Sequence, residues 1–189
     1  MPTITEDRAR SRARRVTTYK SAPTILNEAT RDFSSSKTYD VFLSHSTKDA
    51  ELVLGVKLIL EDHGRSVYVD WLEDPNLDRT NVTPGTAETL RKRMLSCLSL
   101  IYVHSGNSAA SKWMPWELGY FDGYKGAVAI LPVTKNEETS FYGQEYLGIY
   151  PWIDENALSL KELRVHRSAS DYKSFREWTG NVQAFRKTA

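Results

Sequence analysis

Trp113 and Glu117 are four residues apart in the stretch SKWMPWELGYFDG, residues 111–123. On an α-helix, positions i and i+4 share a face. The spacing therefore sets an aromatic plane and a carboxylate on one surface near a helix start. Such a pair suits a reaction that passes through a cationic intermediate, such as the breaking of a glycosidic bond, because a fixed anion stabilises the developing charge. The same spacing fits an ordinary helix with Trp113 in the core and Glu117 in water. Two other short segments could meet this pair. Ser44–His45–Ser46 closes an apolar run and leads toward a helix, whose unpaired N–H groups could take a phosphate. Ser46 equally reads as a plain cap, with Asp49 three residues on. His45 is either a ligand contact or a loop residue. Asp70–Trp71 ends a second apolar run. Trp71 could stack on a base or pyridine ring or belong to the core, and Asp70 could hold loop backbone.

The chain has 189 residues and a net charge of +1. That length suits one domain with a tail, and the charge points to neither nucleic acid nor an acidic membrane. The longest apolar runs are far short of the roughly 20 residues needed to span a bilayer. The single cysteine, Cys97, excludes an internal disulfide and a cysteine-based zinc site. His45, His63, His104 and His166 are dispersed without metal-ligand spacing, so no metal and no cofactor are expected. A reducing, cytoplasmic setting fits this composition. Residues 1–36 differ from the rest. Arg8, Arg10, Arg12, Arg14 and Arg15 alternate with small residues, and Ser34–Ser35–Ser36 closes the segment. They read as a basic extension, partly disordered or with one short helix, followed by a domain over 37–189. A transit peptide is disfavoured by Glu6 and Asp7.

The elements that must position these residues follow from periodicity. Strands are expected at 39–44, 66–71, 99–104, 127–133 and 148–153. Helices are expected at 49–63, capped by Ser46 or Thr47 and stopped by Gly64, and from Thr83–Pro84 onward. The latter should bury Ala87, Leu90, Met94 and Cys97 and leave Arg91, Lys92 and Arg93 solvated, with Glu88 near Lys92. A helix over 113–117 and beyond follows, then a last one over 171–185 burying Tyr172, Phe175, Trp178, Val182 and Phe185. Alternating strands and helices, with nearly all-apolar third and fourth strands, predict an open, doubly wound α/β fold: a flavodoxin-like, five-stranded parallel sheet with helices on both faces. Ligands in such folds bind at the carboxyl ends of the strands. The loops there are 44–48, 71–83, 105–112 and 132–143. No glycine-rich phosphate loop is present. The third strand ends Val103–His104–Ser105, without the Asp that a phospho-acceptor domain needs.

YDVFLSHSTKDAE, SVYVDW and SKWMPWELGYFDG together resemble the TIR (Toll/interleukin-1 receptor) domain of bacterial proteins. The resemblance covers about residues 37–153 and implies the TIR fold. The family divides into assembly modules and enzymes that cleave NAD at the nicotinamide–ribose bond. The enzymes' glutamate lies four residues after a Trp, which assigns the catalytic role to Glu117 and its partner role to Trp113. Ser44, His45, Ser46, Asp70 and Trp71 complete the implied substrate site, with NAD as substrate and not as cofactor. Several relatives carry Arg where Ser46 stands, so a guanidinium contact to phosphate is not available there. Bacterial members often serve antiphage defence. Some make a cyclised ADP-ribose signal for a separate effector, as in Thoeris-like systems. The loop 72–82 corresponds to one that bridges protomers in enzymatic relatives, which implies self-association. The expected products are nicotinamide with ADP-ribose or a cyclic isomer. The other readings are a non-catalytic module that works by homotypic assembly and a nucleoside deoxyribosyltransferase-like enzyme.

Overall fold

The computed structural model describes residues 4–71, 83–136, 145–155 and 162–181. Apolar, β-branched segments form the central strands. β2 (Tyr39–Ser44) lies between β3 (Val67–Val69) and β4 (Cys97–His104), β5 (Val128–Thr134) follows, and then β6 (Trp152–Glu155). All neighbours in this set pair in parallel, with Ser44 beside Tyr102 and His104 beside Pro132. In chain order these five strands are arranged 2-1-3-4-5, the flavodoxin-like order. The direction of winding reverses at β2, so right-handed crossovers place α3 (Ala50–Asp62) on one face and α4 (Pro84–Leu95) and α5 (Trp113–Tyr124) on the other. Val41, Leu43, Leu100, Ile101, Ala129 and Ile130 are fully buried, as strands covered on both faces require.

The five-stranded expectation is too small. The sheet of the described residues has eight strands. β7 (Leu163–His166) and β8 (Tyr172–Ser174) extend it in antiparallel fashion past β6. The expected fifth strand at 148–153 begins later, because a single 3-10 turn occupies Glu145–Ile149. The expected helix at 171–185 is instead β8 followed by α6 (Phe175–Gly180), with a capping box between Ser174 and Glu177. Phe175 and Trp178 are buried as expected, whereas Tyr172 is largely exposed. Val182 and Phe185 lie outside the described residues.

Residues 4–36 carry more structure than the sequence suggests. Ile4 and Thr5 form β1 and pair with Val133 and Thr134 of β5. Two helices follow, α1 (Glu6–Arg14) and α2 (Ala22–Arg31), capped by Thr5 and Ser21. The alternating arginines are not a solvated arm. Arg10 binds Asp49 and Glu51, Arg12 binds Asp62, and Arg14 binds Glu51, all on or just before α3. Arg8 pairs with Glu155, which also meets His63 Nε2 at 2.6 Å. The hydrogen bond from Arg12 holds the Asp62 carboxyl below its ordinary range. Between the arginines, Ala9 and Ala13 are fully buried. Their small side chains let α1 lie against α3 at Gly55, where a Cβ would stand 1.8 Å from the Ala9 carbonyl oxygen. Periodicity pointed to no more than one short helix here because the buried stripe of α1 consists of alanine and its other groove contacts are ion pairs.

The α3 ends also differ from expectation at one side. Asp49, not Ser46 or Thr47, is the N-cap, accepting from the Leu52 N–H at 3.4 Å. At the other end Gly64 takes φ +73° and stops the helix as expected. In α4, Thr83 and Pro84 open the helix, and Leu90 and Met94 are buried. Ala87 is only partly buried, and Cys97 belongs to β4, where burial pushes its thiol up to about 12. Arg93 is buried, contrary to the expectation that it is solvated. It is drawn inward by Asp70, 2.5 Å away.

Candidate active site

Glu117 is on the first turns of α5, on the side that faces β2 and β4. Glu117 is 1% exposed, while Trp113 is only partly buried. This is the reverse of the ordinary amphipathic alternative, which would put the aromatic in the core and the carboxylate in water. A buried ionised carboxylate requires compensation. Ser44, the last residue of β2, donates its hydroxyl to Glu117 Oε2 at 2.6 Å. That length is typical of a charge-assisted O–H···O bond. Ser44 also pairs in register with Tyr102 of β4. The pair therefore sits between β2 and β4, where the winding reverses and such sheets bind ligands. Tyr102 is pushed up to about 12, mainly by burial, with the Glu117 charge adding to the effect. Tyr102 thus presents a neutral hydroxyl near Glu117 at any ordinary pH.

The remaining expected site residues divide. His45 is 2% exposed, and its Nδ1 lies 2.8 Å from the Leu43 carbonyl. Trp71 is 4% exposed and stacks on His45 with ring centroids 5.5 Å apart and 10° between planes. One face of each ring is thereby used within the protein. Asp70 is fully buried and bonds Tyr68 Oη at 2.9 Å and Arg93 at 2.5 Å. The loop backbone expected to hold it lies outside the described residues. Ser46 is buried beside His45, and its Oγ accepts from the Lys48 N–H at 3.5 Å. Glu117 and Ser44 are brought together, His45 and Trp71 are brought together, and Asp70 faces α4. The loop 72–82 lies outside the described residues.

Three residues that sequence reasoning missed organise this region. Thr30 of α2 bonds the Val69 carbonyl at 2.9 Å and accepts from the Trp71 N–H at 3.2 Å, so the N-terminal helices hold the end of β3. Arg93 secures Asp70 from the opposite side. Tyr102 lines an opening of about 180 Å³ with Ser108, Ser111, Pro115 and Tyr146. The signal for Tyr102 was available, since it precedes His104 at the carboxyl end of a strand. Thr30 and Arg93 carried no such signal, because their partners are 39 and 23 residues away.

Residues 41–164 match the TIR domain family. The chain belongs to this family. Its parallel-dominated sheet with helices on both faces is consistent with the TIR fold. A protein of Bacillus cereus (strain MSX-D12), "Probable 3' cyclic ADP-D-ribose synthase ThsB'", is 49% identical over 163 residues, 84% of each chain. A protein of Cytobacillus dafuensis, "Putative cyclic ADP-D-ribose synthase TIR2", is 34% identical over 87 residues, 46% of this TIR chain and 23% of its own length.

Proposed function

We propose that this TIR domain cleaves NAD at the nicotinamide–ribose bond and closes the remaining ADP-ribosyl group into a cyclic ADP-ribose that serves as an antiphage signal. The observation that carries the reading is the buried Glu117 carboxylate, held by Ser44 at the reversal point of the sheet. As nicotinamide departs with the bonding electron pair, positive charge develops on the ribose ring. Glu117 stabilises that oxocarbenium-like state and accepts hydrogen bonds from the ribose hydroxyls. Trp113, half-buried one turn earlier on the same face, supplies an apolar wall that limits water. Attack by a nucleophile within the same molecule, with loss of its proton, closes the ring. Attack by water gives ADP-ribose. The 49% identity to a named cyclic ADP-ribose synthase favours ring closure.

Self-association through loop 72–82 and a separate effector that reads the nucleotide complete this proposal. No helix of the described residues is long and apolar enough to cross a membrane, and we place the reaction in the cytoplasm, where NAD is available. The test is Glu117→Gln, which keeps side-chain size and removes the charge. Mass spectrometry should find neither nicotinamide nor a cyclic product from the variant, at an unchanged melting temperature. Wild-type turnover by the purified variant would sink the assignment.

A further inference from the structure

A second opening, of about 490 Å³, lies next to the first at the carboxyl ends of β4 and β5. The two share His104, Ser108 and Ala109, so they form one trench that starts at Tyr102 and ends at Lys135 and Asn136. Its far wall is Glu6, which follows directly on β1. Since Ile4 pairs with Val133 and Thr5 with Thr134, the next residues along the two strands are Glu6 and Lys135. The N-terminal segment thus places a carboxylate beside an ammonium at the sheet's ligand-binding edge. From Ser44 on β2 to the far side of β5 is two strand spacings, roughly 10 Å. On the β3 side of Glu117 the described structure is filled by His45 and Trp71, both buried.

We infer that this trench holds the ADP half of the dinucleotide, with Lys135 on the diphosphate and Glu6 on the hydroxyls of the adenosine ribose. The inference rests on the NAD-cleaving reading above. With the scissile bond at Glu117, the rest of NAD must run along the carboxyl edge of the sheet, and the trench that begins at Tyr102 offers it room on the β5 side. Lys135 is exposed and suits a phosphate as a point charge. Glu6 is partly buried, its other contact being a 3.6 Å ion pair with Arg10. A carboxylate accepts from ribose hydroxyls and repels a phosphate placed there, so Glu6 selects NAD against NADP.

The experiment measures nicotinamide release from NAD and NADP by the full chain, wild type, Lys135→Met, Glu6→Gln and Glu6→Lys. Calorimetry with ADP-ribose is run in parallel on Glu117→Gln protein with and without Lys135→Met. Lys135→Met should raise KM for NAD about tenfold with little change in kcat, the effect of losing one charged contact, and should weaken ADP-ribose binding by a similar factor. Glu6→Gln should narrow the NAD-over-NADP preference, and Glu6→Lys should narrow it further. Melting temperatures near wild type show that these are not folding effects. NAD cleavage with KM and the NAD-over-NADP preference unmoved in all three variants overturns the trench while leaving the NAD reading intact. Absence of NAD cleavage in wild type, with ADP-ribose binding that still depends on Lys135, supports the trench and removes the reading instead. ADP-ribose binding unaffected by Lys135→Met overturns the trench in either case.

Discussion

Ser44→Ala tests the link between the fold and the chemistry most directly. The substitution removes one hydroxyl and leaves the β2 ladder intact, because the pairing of Ser44 with Tyr102 is made by backbone. What is lost is the 2.6 Å bond to Glu117 Oε2. A hydrogen bond to a charged group contributes about 1.5–3 kcal/mol, and Glu117 at 1% exposure has little water to replace it. At roughly 1.4 kcal/mol per factor of ten, kcat/KM for nicotinamide release should fall by about 10- to 100-fold. The assay is the initial rate of nicotinamide release as kcat/KM, with Ser44→Thr as the control that keeps a hydroxyl and the melting temperature as the check on folding. An unchanged kcat/KM for Ser44→Ala would refute the claim that this bond sustains the reactive carboxylate.

Three further outcomes are expected. Gly55→Ala should lower the melting temperature by several degrees, since a Cβ 1.8 Å from the Ala9 oxygen forces α1 off α3 and overpacking of this kind costs about 1–3 kcal/mol. An exposed helix position would instead gain up to about 1 kcal/mol from the same change, so a raised melting temperature rejects the close approach. Trp113→Ala should reduce turnover more than stability, because the ring is half-buried, edge-on to Trp116 at 5.5 Å; a loss of the roughly 3–5 kcal/mol of a fully buried Trp, with activity per folded molecule unchanged, would make it a core residue. If loop 72–82 joins protomers, specific activity should rise with protein concentration, and Asp78→Ala with Arg79→Ala should blunt the rise. Flat activity over a hundredfold dilution of a protein that light scattering shows as a monomer throughout would reject assembly.

The parts that were legible share one property: their pattern lies within a single element. The apolar strands β2, β4 and β5, the Thr83–Pro84 opening of α4, Gly64 as a helix stop and the Trp113–Glu117 spacing are all fixed by neighbours within a few residues. That is why the parallel sheet, its likeness to a flavodoxin-like order and the TIR resemblance could be read from the chain. The errors arose where a distant partner outweighed local preference. Arg93 looked like a solvated member of a basic triplet until Asp70, on another element, drew it inward. Asp49 displaced Ser46 as the α3 cap while also receiving Arg10 from the N-terminal helix.

By itself the sequence determined the fold class, the helix that carries Glu117 and the identity of the candidate carboxylate. Only the tertiary structure decided that this carboxylate is buried against Ser44, that His45 and Trp71 close on each other, and that residues 4–31 pair with β5, pack on α3 and hold the end of β3. The reason is physical. Periodicity reports which face of an element is apolar, but the desolvation of a charge depends on what the opposing element brings to it. For Glu117 that element is β2, 73 residues earlier in the chain.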